Sequence, residues 1–142
     1  MANFKSALDK VLSKEGGYVN DPDDKGGETY KGISRKHNPN WKGWRIIDDI
    51  KKDFPKISNK DMTNLLRLNI NIEKEVYYLY KNDYWNCLEL DDIPNQMVAE
   101  CIFDTCVNQG MRAAVKFAQR VIGVKEDGRW TLDLLNKLVS MK

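Results

Sequence analysis

A glutamate followed by two glycines, at Glu15, Gly16 and Gly17, begins the part of the sequence best suited to chemistry. Glu15 follows Leu12 by three residues, so a helix that buries Leu12 places Glu15 at the edge of the core. Desolvation there favours a protonated carboxyl group, as a general acid requires. The glycines let backbone or ligand approach closely. A solvated glutamate that ends a helix before a glycine cap and a polar loop explains the pattern equally well.

Two residues of the following loop suit the same chemistry. Asp24 lies nine residues after Glu15, and Thr29 lies five further on. A loop that folds back brings both across a cleft from the glutamate. Glycoside hydrolysis needs such a set, because one carboxylic acid protonates the leaving oxygen while a second carboxylate activates a water on the opposite face of the sugar. Turn formation alone explains the neighbouring Asp21 and Asp23.

A calcium loop is the metal-binding interpretation of DPDDKGGE. Counted from Asp21, the fifth position is Lys25 and the twelfth is Gly32, where an EF-hand needs oxygen ligands from side chains. The single histidine, His37, has no second ligand at helical spacing, and we expect it at the surface or in a cap. We therefore predict no metal and no cofactor.

The composition of the 142-residue chain fits one globular domain. Its formal charge of +2 is too small to indicate nucleic-acid binding. No apolar run approaches the roughly 18 residues needed to span a bilayer, and MANFKSALDK lacks a secretory pattern, so we expect cytoplasmic synthesis without membrane insertion. An odd cysteine count without a CxxC pair indicates buried free thiols at Cys87, Cys101 and Cys106.

Helical periodicity dominates the elements that must position these residues. Asn3 is a good N-cap for a first helix that stops at Gly16, and the stretch YVNDPDDKGGETY predicts a loop or a short irregular hairpin. Later helices are predicted over 46–53, over about 58–68, from Asn71 to a break around NDYWN, from Pro94 to before Gly110, between Gly110 and Gly123, and after Thr131. On the helix from Pro94, the predicted inward face carries Met97, Val98, Cys101, Ile102 and Thr105.

The stretch EGGYVNDPDDKGGETYKGIS resembles the signature of glycoside hydrolase family 108, the N-acetylmuramidases of phage endolysins and bacterial wall-lytic proteins. The resemblance continues through NPNWKGWRIID, through Tyr84 and Trp85, and through FDTCVNQGMRAAVKFAQRVIGVKEDG. It implies a mostly α, lysozyme-like fold that cleaves the β-1,4 bond between N-acetylmuramic acid and N-acetylglucosamine. The family's downstream D-G-x-x-G-P-x-T pattern is incomplete here, which weakens the case for wall anchoring by the C-terminal portion.

The resemblance also implies roles for individual residues. Glu15 matches the catalytic glutamate, and its spacing to Asp24 is similar to that in phage-type lysozymes, in which a threonine follows about six residues later; here Thr29 comes at five. Asp24 and Thr29 would then position water. Aromatic faces and amides that could contact sugar, or could equally serve the core or a helix cap, are Tyr18, Tyr30, Trp41, Tyr84, Asn108 and Gln109.

We predict one muramidase domain over 1–142, with the catalytic motif in 1–45 and a helical, cleft-lining or wall-binding-like portion in about 84–142. The expected partner is bacterial peptidoglycan, and the expected state is a monomer that reaches the wall after release from a host cytoplasm. Two alternatives remain open. One is a lytic transglycosylase, which closes an anhydro ring; the other is a catalytically silent protein that binds the wall or regulates lysis.

Overall fold

The computed structural model describes residues 1–21, 23 and 27–141, and most of them are helical. The helices are α1 (Phe4–Lys14), α2 (Gly43–Asp53), α3 (Asn59–Arg67), α4 (Ile70–Tyr80), α5 (Gln96–Gln109), α6 (Met111–Ile122) and α7 (Leu132–Ser140). The strands are β1 (Tyr18–Asn20), β2 (Glu28–Tyr30) and β3 (Ile33–Ser34). A π-helical turn (Lys81–Trp85) and two 3-10 turns (Asn86–Leu88 and Leu90–Asp92) lead from α4 to α5. The predicted mostly α fold with a hairpin after the first helix is confirmed.

The chain forms two compact units. The middle unit comprises Leu12–Leu79, and the terminal unit combines Met1–Val11 with the chain from Tyr80 onward. In the terminal unit the buried ring of Phe103 packs edge-on against Phe4 and Trp85, with ring centroids 5.7 and 5.4 Å apart. These aromatic contacts form the centre of its core. The boundaries of a single muramidase domain stay a prediction.

A three-stranded antiparallel sheet in the order β1-β2-β3 follows α1 in the middle unit. Tyr18 lies opposite Tyr30, which in turn lies opposite Ile33, and all three side chains are buried. Because side chains alternate between the faces of a strand, the next row lies on the other face. That row consists of Val19, Thr29 and Ser34.

Helix α3 covers the outer edge of β1. The N–H of Tyr18 donates to Thr63 Oγ1 at 2.9 Å, and the N–H of Asn20 donates to Asn59 Oδ1 at 3.3 Å. An edge strand otherwise presents unpaired N–H groups, and here side chains of the helix accept these two. The position of β1 is therefore fixed from both sides, by β2 and by α3.

The N-termini of α1 and α5 show how well local sequence signals predict where a helix begins. The predicted cap of α1 is confirmed, because Asn3 Oδ1 accepts the N–H of Ser6 at 2.9 Å. The prediction that Pro94 is the first residue of the next helix is wrong. Helix α5 begins at Gln96, and Asn95 is its cap, accepting the N–H of Val98 at 3.1 Å.

The inward face of α5 differs from the predicted one by about one residue. Met97 is 73% exposed and Cys101 is also exposed. The stripe that is buried instead, at spacings of three and four, consists of Ala99, Ile102, Phe103 and Cys106. This stripe buries the large Phe103 ring, which the predicted face would have left outside. The prediction of buried thiols holds for Cys106 and is wrong for Cys87 and Cys101, which are exposed.

Candidate active site

Glu15 directly follows α1, and its N–H donates to the carbonyl oxygen of Leu12 at 3.2 Å. The residue is half-buried, as the helical spacing predicts. Among the residues that the structure describes, none hydrogen-bonds its carboxylate. The side chain therefore combines partial shelter from solvent with a carboxylate that these residues leave available to a ligand. Its catalytic role remains a prediction.

The two glycines after Glu15 have different roles. A Cβ atom at Gly17 would lie 2.4 Å from Cγ2 and 2.6 Å from Oγ1 of Thr63. That hydroxyl cannot move aside freely, since it donates to the carbonyl oxygen of Asn59 at 2.8 Å and accepts the N–H of Tyr18. A Cβ at Gly16 would meet nothing within 4 Å. Close approach of α3 thus requires Gly17, whereas Gly16 leaves open space beside Glu15.

We expect Gly17→Ala to lower the free energy of unfolding by about 1–3 kcal/mol, because the added methyl group overlaps Thr63. Gly16→Ala is the matched control and should change it by less than about 0.5 kcal/mol. Urea denaturation followed by circular dichroism measures both values. Equal effects of the two substitutions would show that Thr63 does not require a glycine at position 17.

Thr29 lies in the central strand β2, half-buried, with its side chain on the face opposite Glu28 and Tyr30. Its predicted partner Asp24 lies outside the described residues. At the start of the same loop, Asp21 Oδ1 accepts the N–H of Asp23 at 2.9 Å. This bond confirms the turn-forming role expected for Asp21.

Tyr18 and Tyr30, two of the predicted sugar contacts, are buried. The hydroxyl of Tyr18 donates to Glu28, and that of Tyr30 donates to Glu73 at 3.1 Å. Burial, reinforced by these carboxylates, raises the pKa of both phenols. Both side chains have a clear structural role in this conformation, and their contact with sugar stays a prediction.

Trp41, also predicted to contact sugar, is 8% exposed. Its Nε1 donates to the carbonyl oxygen of Glu75 at 3.0 Å, and its ring stands perpendicular to that of Trp44 with centroids 5.1 Å apart. These contacts join α4 to the start of α2. A sugar could stack on this ring only if its neighbours moved, so the packing of Trp41 favours the core role that the sequence left open.

The remaining sugar-binding candidates belong to the terminal unit. Tyr84 is half-buried in the π-helical turn, with its ring centroid 5.5 Å from that of Tyr80. Asn108 is exposed near the end of α5, where its Nδ2 donates to the carbonyl oxygen of Asp104 at 2.9 Å. Gln109 is exposed and is the last residue of that helix. Their contact with substrate stays a prediction.

A buried carboxylate that the sequence reasoning left without a role lies next to Thr29. Glu28 is 9% exposed, and its Oε1 accepts Arg35 Nη1 at 2.8 Å while its Oε2 accepts Lys51 Nζ at 2.8 Å and the Tyr18 hydroxyl. Arg35 also pairs in bidentate fashion with Asp48, with both bonds at 2.7 Å. We refer to Tyr18, Glu28, Arg35, Asp48 and Lys51 as the Glu28 cluster.

The charges of the Glu28 cluster balance one another. Burial raises the pKa of Glu28, but hydrogen bonds from Lys51, Tyr18 and Arg35 outweigh it and hold that pKa below its usual range. The hydrogen bond from Arg35 likewise lowers the pKa of Asp48, more than burial raises it. Both carboxylates are therefore ionised at neutral pH. A signal for the cluster existed, since alternation places Glu28 on the buried face of Tyr30, where a charge needs partners.

Acid should weaken the fold through this cluster. The pKa values of Glu28 and Asp48 are lower in the folded state, so their stabilisation is complete above the unfolded values of about 4.3 and 3.9. It is lost as the pH falls through the folded pKa values. At pH values under about 4 we expect the melting temperature of the wild type to fall. In Glu28→Gln we expect it to fall less steeply with decreasing pH. Thermal unfolding followed at several pH values tests this, and parallel curves for the two proteins would contradict it.

A cavity of about 780 Å³ also lies in the middle unit, near the end of α2 and along α3. Its apolar lining consists of Phe54, Pro55, Ile57, Leu65 and Leu68. Among the described residues, none of those predicted to be catalytic or to bind sugar lines it. Within residues 1–21, 23 and 27–141, no group of three or more His, Cys, Asp and Glu side chains is arranged to hold a metal ion. In the same ranges no helix is both long and apolar enough to cross a bilayer.

A mostly α fold, with a half-buried glutamate between its first helix and a small antiparallel sheet, defines a lysozyme-like class of protein. The family model described as Glycosyl hydrolase 108 matches residues 8–110, and the chain belongs to this family. It is accordingly a glycoside hydrolase that acts on peptidoglycan.

One solved structure extends this likeness over nearly the whole chain. The structure of Brucella abortus SagA is 30% identical, with 98% of this chain and 70% of that chain covered and a TM-score of 0.63. No curated protein matches the sequence. The resemblance to the family inferred from the sequence motifs is confirmed by the family model.

Proposed function

We propose that the protein is an N-acetylmuramidase that hydrolyses the β-1,4 bond between N-acetylmuramic acid and N-acetylglucosamine. Glu15 is the general acid, and Asp24 is the carboxylate that orients the attacking water with help from the Thr29 hydroxyl. The observation that carries the proposal is the half-buried Glu15, inside the family match and without a hydrogen-bond partner among the described residues.

The placement of Glu15 suits proton donation to a leaving oxygen. Its backbone is held by the last turn of α1, while the open space at Gly16 leaves room for a sugar beside the carboxyl group. A general acid must lie within hydrogen-bond reach of the glycosidic oxygen, and a carboxylate already occupied by neighbouring side chains could not do so. Availability of the carboxylate therefore favours Glu15 over the fully engaged Glu28.

Water activation is assigned to the other side of the bond. If Asp24 orients a water, its carboxyl group should stand about 6.5–9.5 Å from that of Glu15, and the product should have inverted anomeric configuration. A covalent route through Asp24 requires about 5 Å and retention. Thr29 is half-buried on the face of β2 that it shares with Val19 and Ser34, and it offers a hydroxyl that no described residue hydrogen-bonds. Proton nuclear magnetic resonance of the first anomer released distinguishes the two routes.

The test of this function is digestion of purified sacculi with mass spectrometry of the released muropeptides. We expect falling turbidity and products with a hydrated N-acetylmuramic acid at the reducing end. Anhydro-muramyl ends would instead assign the protein as a lytic transglycosylase. Reducing ends on N-acetylglucosamine would contradict the muramidase bond preference. Sedimentation with the sacculi at constant turbidity would identify a silent wall-binding protein.

We further propose that the protein acts as a phage endolysin, released to the wall from a host cytoplasm. The motif resemblance to the endolysin-containing family supports this proposal. Expression in a bacterial cytoplasm should cause lysis only after the inner membrane is permeabilised, for example by a coexpressed holin. Prompt lysis without permeabilisation would contradict the proposed route of release.

A further inference from the structure

We propose that Glu28 is a positioning residue for this hydrolase, fixing the start of β2 and with it the Thr29 hydroxyl. The inference rests on the proposed function, because it concerns the placement of groups that are assigned there to water activation. Glu28 itself contacts no reacting atom in this proposal. It acts through the strand that it anchors.

The first argument is the number of elements that meet at one carboxylate. Through Tyr18 it is tied to β1, through Arg35 to the segment after β3, and through Lys51 to α2. Asp48 completes the arrangement by holding the Arg35 guanidinium with two bonds of 2.7 Å, and it lies 3.7 Å from Lys51. A shift of Glu28 would therefore disturb contacts with β1, with the segment after β3 and with α2 at once.

The second argument is that Glu28 is held by its backbone as well as its side chain. Its carbonyl oxygen accepts the N–H of Arg35 at 2.9 Å, in addition to the bond between the Arg35 guanidinium and the carboxylate. Thr29 is the next residue and points to the opposite face. Because β2 is extended and paired on both sides, successive side chains point to opposite faces, and the orientation of Glu28 largely sets the direction of the Thr29 side chain.

The third argument excludes a direct catalytic role. Both carboxylate oxygens of Glu28 accept hydrogen bonds from cationic side chains, and one also accepts from Tyr18. Burying a charge is unfavourable unless it is paired, and this pairing leaves the carboxylate little capacity to orient a water or donate a proton. In the sequence, Glu28 comes at the end of the loop that contains Asp24, and this position suits a residue that anchors the start of β2.

The test compares Glu28→Gln with the wild type on a soluble glycan substrate. A misplacement of about 1 Å can reduce a rate by about 100-fold, and we expect kcat to fall by about 10- to 100-fold with KM unchanged. The pH profile of kcat should keep its shape, with kcat lowered by the same factor at each pH. Glu126→Gln, which makes the same change in the exposed pair with Arg120, should leave kcat unchanged.

A double-mutant cycle separates positioning from general loss of stability. Lys51→Met should lower kcat as well. The fold-reduction in kcat of the double variant should be smaller than the product of the fold-reductions of the two single variants, because both residues act through one cluster. Rates are measured well below each variant's melting temperature. If Glu28→Gln does not fold, Lys51→Met and Asp48→Asn, which alter more exposed members of the cluster, give the same comparison.

The possible failures are distinct. Unchanged kcat in folded Glu28→Gln, or strictly multiplicative effects in the cycle, would overturn the inference while leaving the hydrolase intact. Loss of one limb of the pH profile would also overturn it, since Glu28 would then be an acid or base itself. An inactive wild type would refute the proposed function instead. Hydrogen exchange at the Thr29 and Tyr30 amides, expected to be faster in Glu28→Gln, tests the anchoring of β2 without any activity.

Discussion

Glu15→Gln is expected to abolish peptidoglycan hydrolysis while leaving the protein folded. Glutamine keeps the size of the side chain but cannot donate the proton that the leaving oxygen needs, and loss of general acid catalysis typically costs about 10²–10⁴-fold in rate. The fold should tolerate the change, because none of the described residues hydrogen-bonds the Glu15 carboxylate. Turbidity loss of sacculi gives the rate, and circular dichroism gives the folded state.

Glu75→Gln is the matched control for this experiment. Glu75 is also half-buried and lies in the same middle unit, but outside the segment 15–29 that carries the proposed catalytic residues, so the substitution repeats the change of charge and shape without altering any of them. We expect its lytic rate to equal that of the wild type. Activity of Glu15→Gln within a factor of about two of the wild type, far from the expected loss, would remove Glu15 from the mechanism.

Phe103→Ala is expected to produce the largest loss of stability, about 3–5 kcal/mol in the free energy of unfolding. The Phe103 ring is fully buried and packs edge-on against Phe4, Trp85 and Tyr80, with centroids 5.7, 5.4 and 6.3 Å away. Its removal leaves a cavity that these rings cannot fill without losing their own contacts. Urea denaturation followed by circular dichroism gives the value.

Phe54→Ala makes the same chemical change at a side chain that is 57% exposed. Little apolar surface returns to water there, so the loss should stay below about 1 kcal/mol. The difference between the two variants isolates the burial of Phe103 from the chemistry of the substitution. If both variants unfold at the same urea concentration, the aromatic packing of the terminal unit does not determine its stability.

Features encoded by neighbouring residues could be predicted from the sequence. The cap at Asn3 and the turn at Asp21 need an acceptor side chain two or three residues before an N–H group, and both are confirmed. The core-edge position of Glu15 followed from helical spacing alone. The motif resemblance then supplied the family, which the match over residues 8–110 confirms.

Features that depend on distant residues could not be predicted in the same way. The partners of Glu28 are seven and 23 residues away, at Arg35 and Lys51, and nothing local pairs them. The requirement for Gly17 arises from Thr63, which lies on another helix. Hydrophobic periodicity also located α5 without fixing its rotation, because apolar residues occur on two adjacent stripes of the helix and the observed one buries Phe103.

The covered edge of β1 has a consequence for how the wall polymer can be recognised. Asn59 and Thr63 accept the two outward N–H groups of this strand, those of Asn20 and Tyr18. Strand addition, in which an extended peptide pairs with a free sheet edge, is therefore blocked there. Neither a peptide stem of the wall nor a second copy of the chain can extend the sheet past β1, and recognition on this side has to rely on side chains.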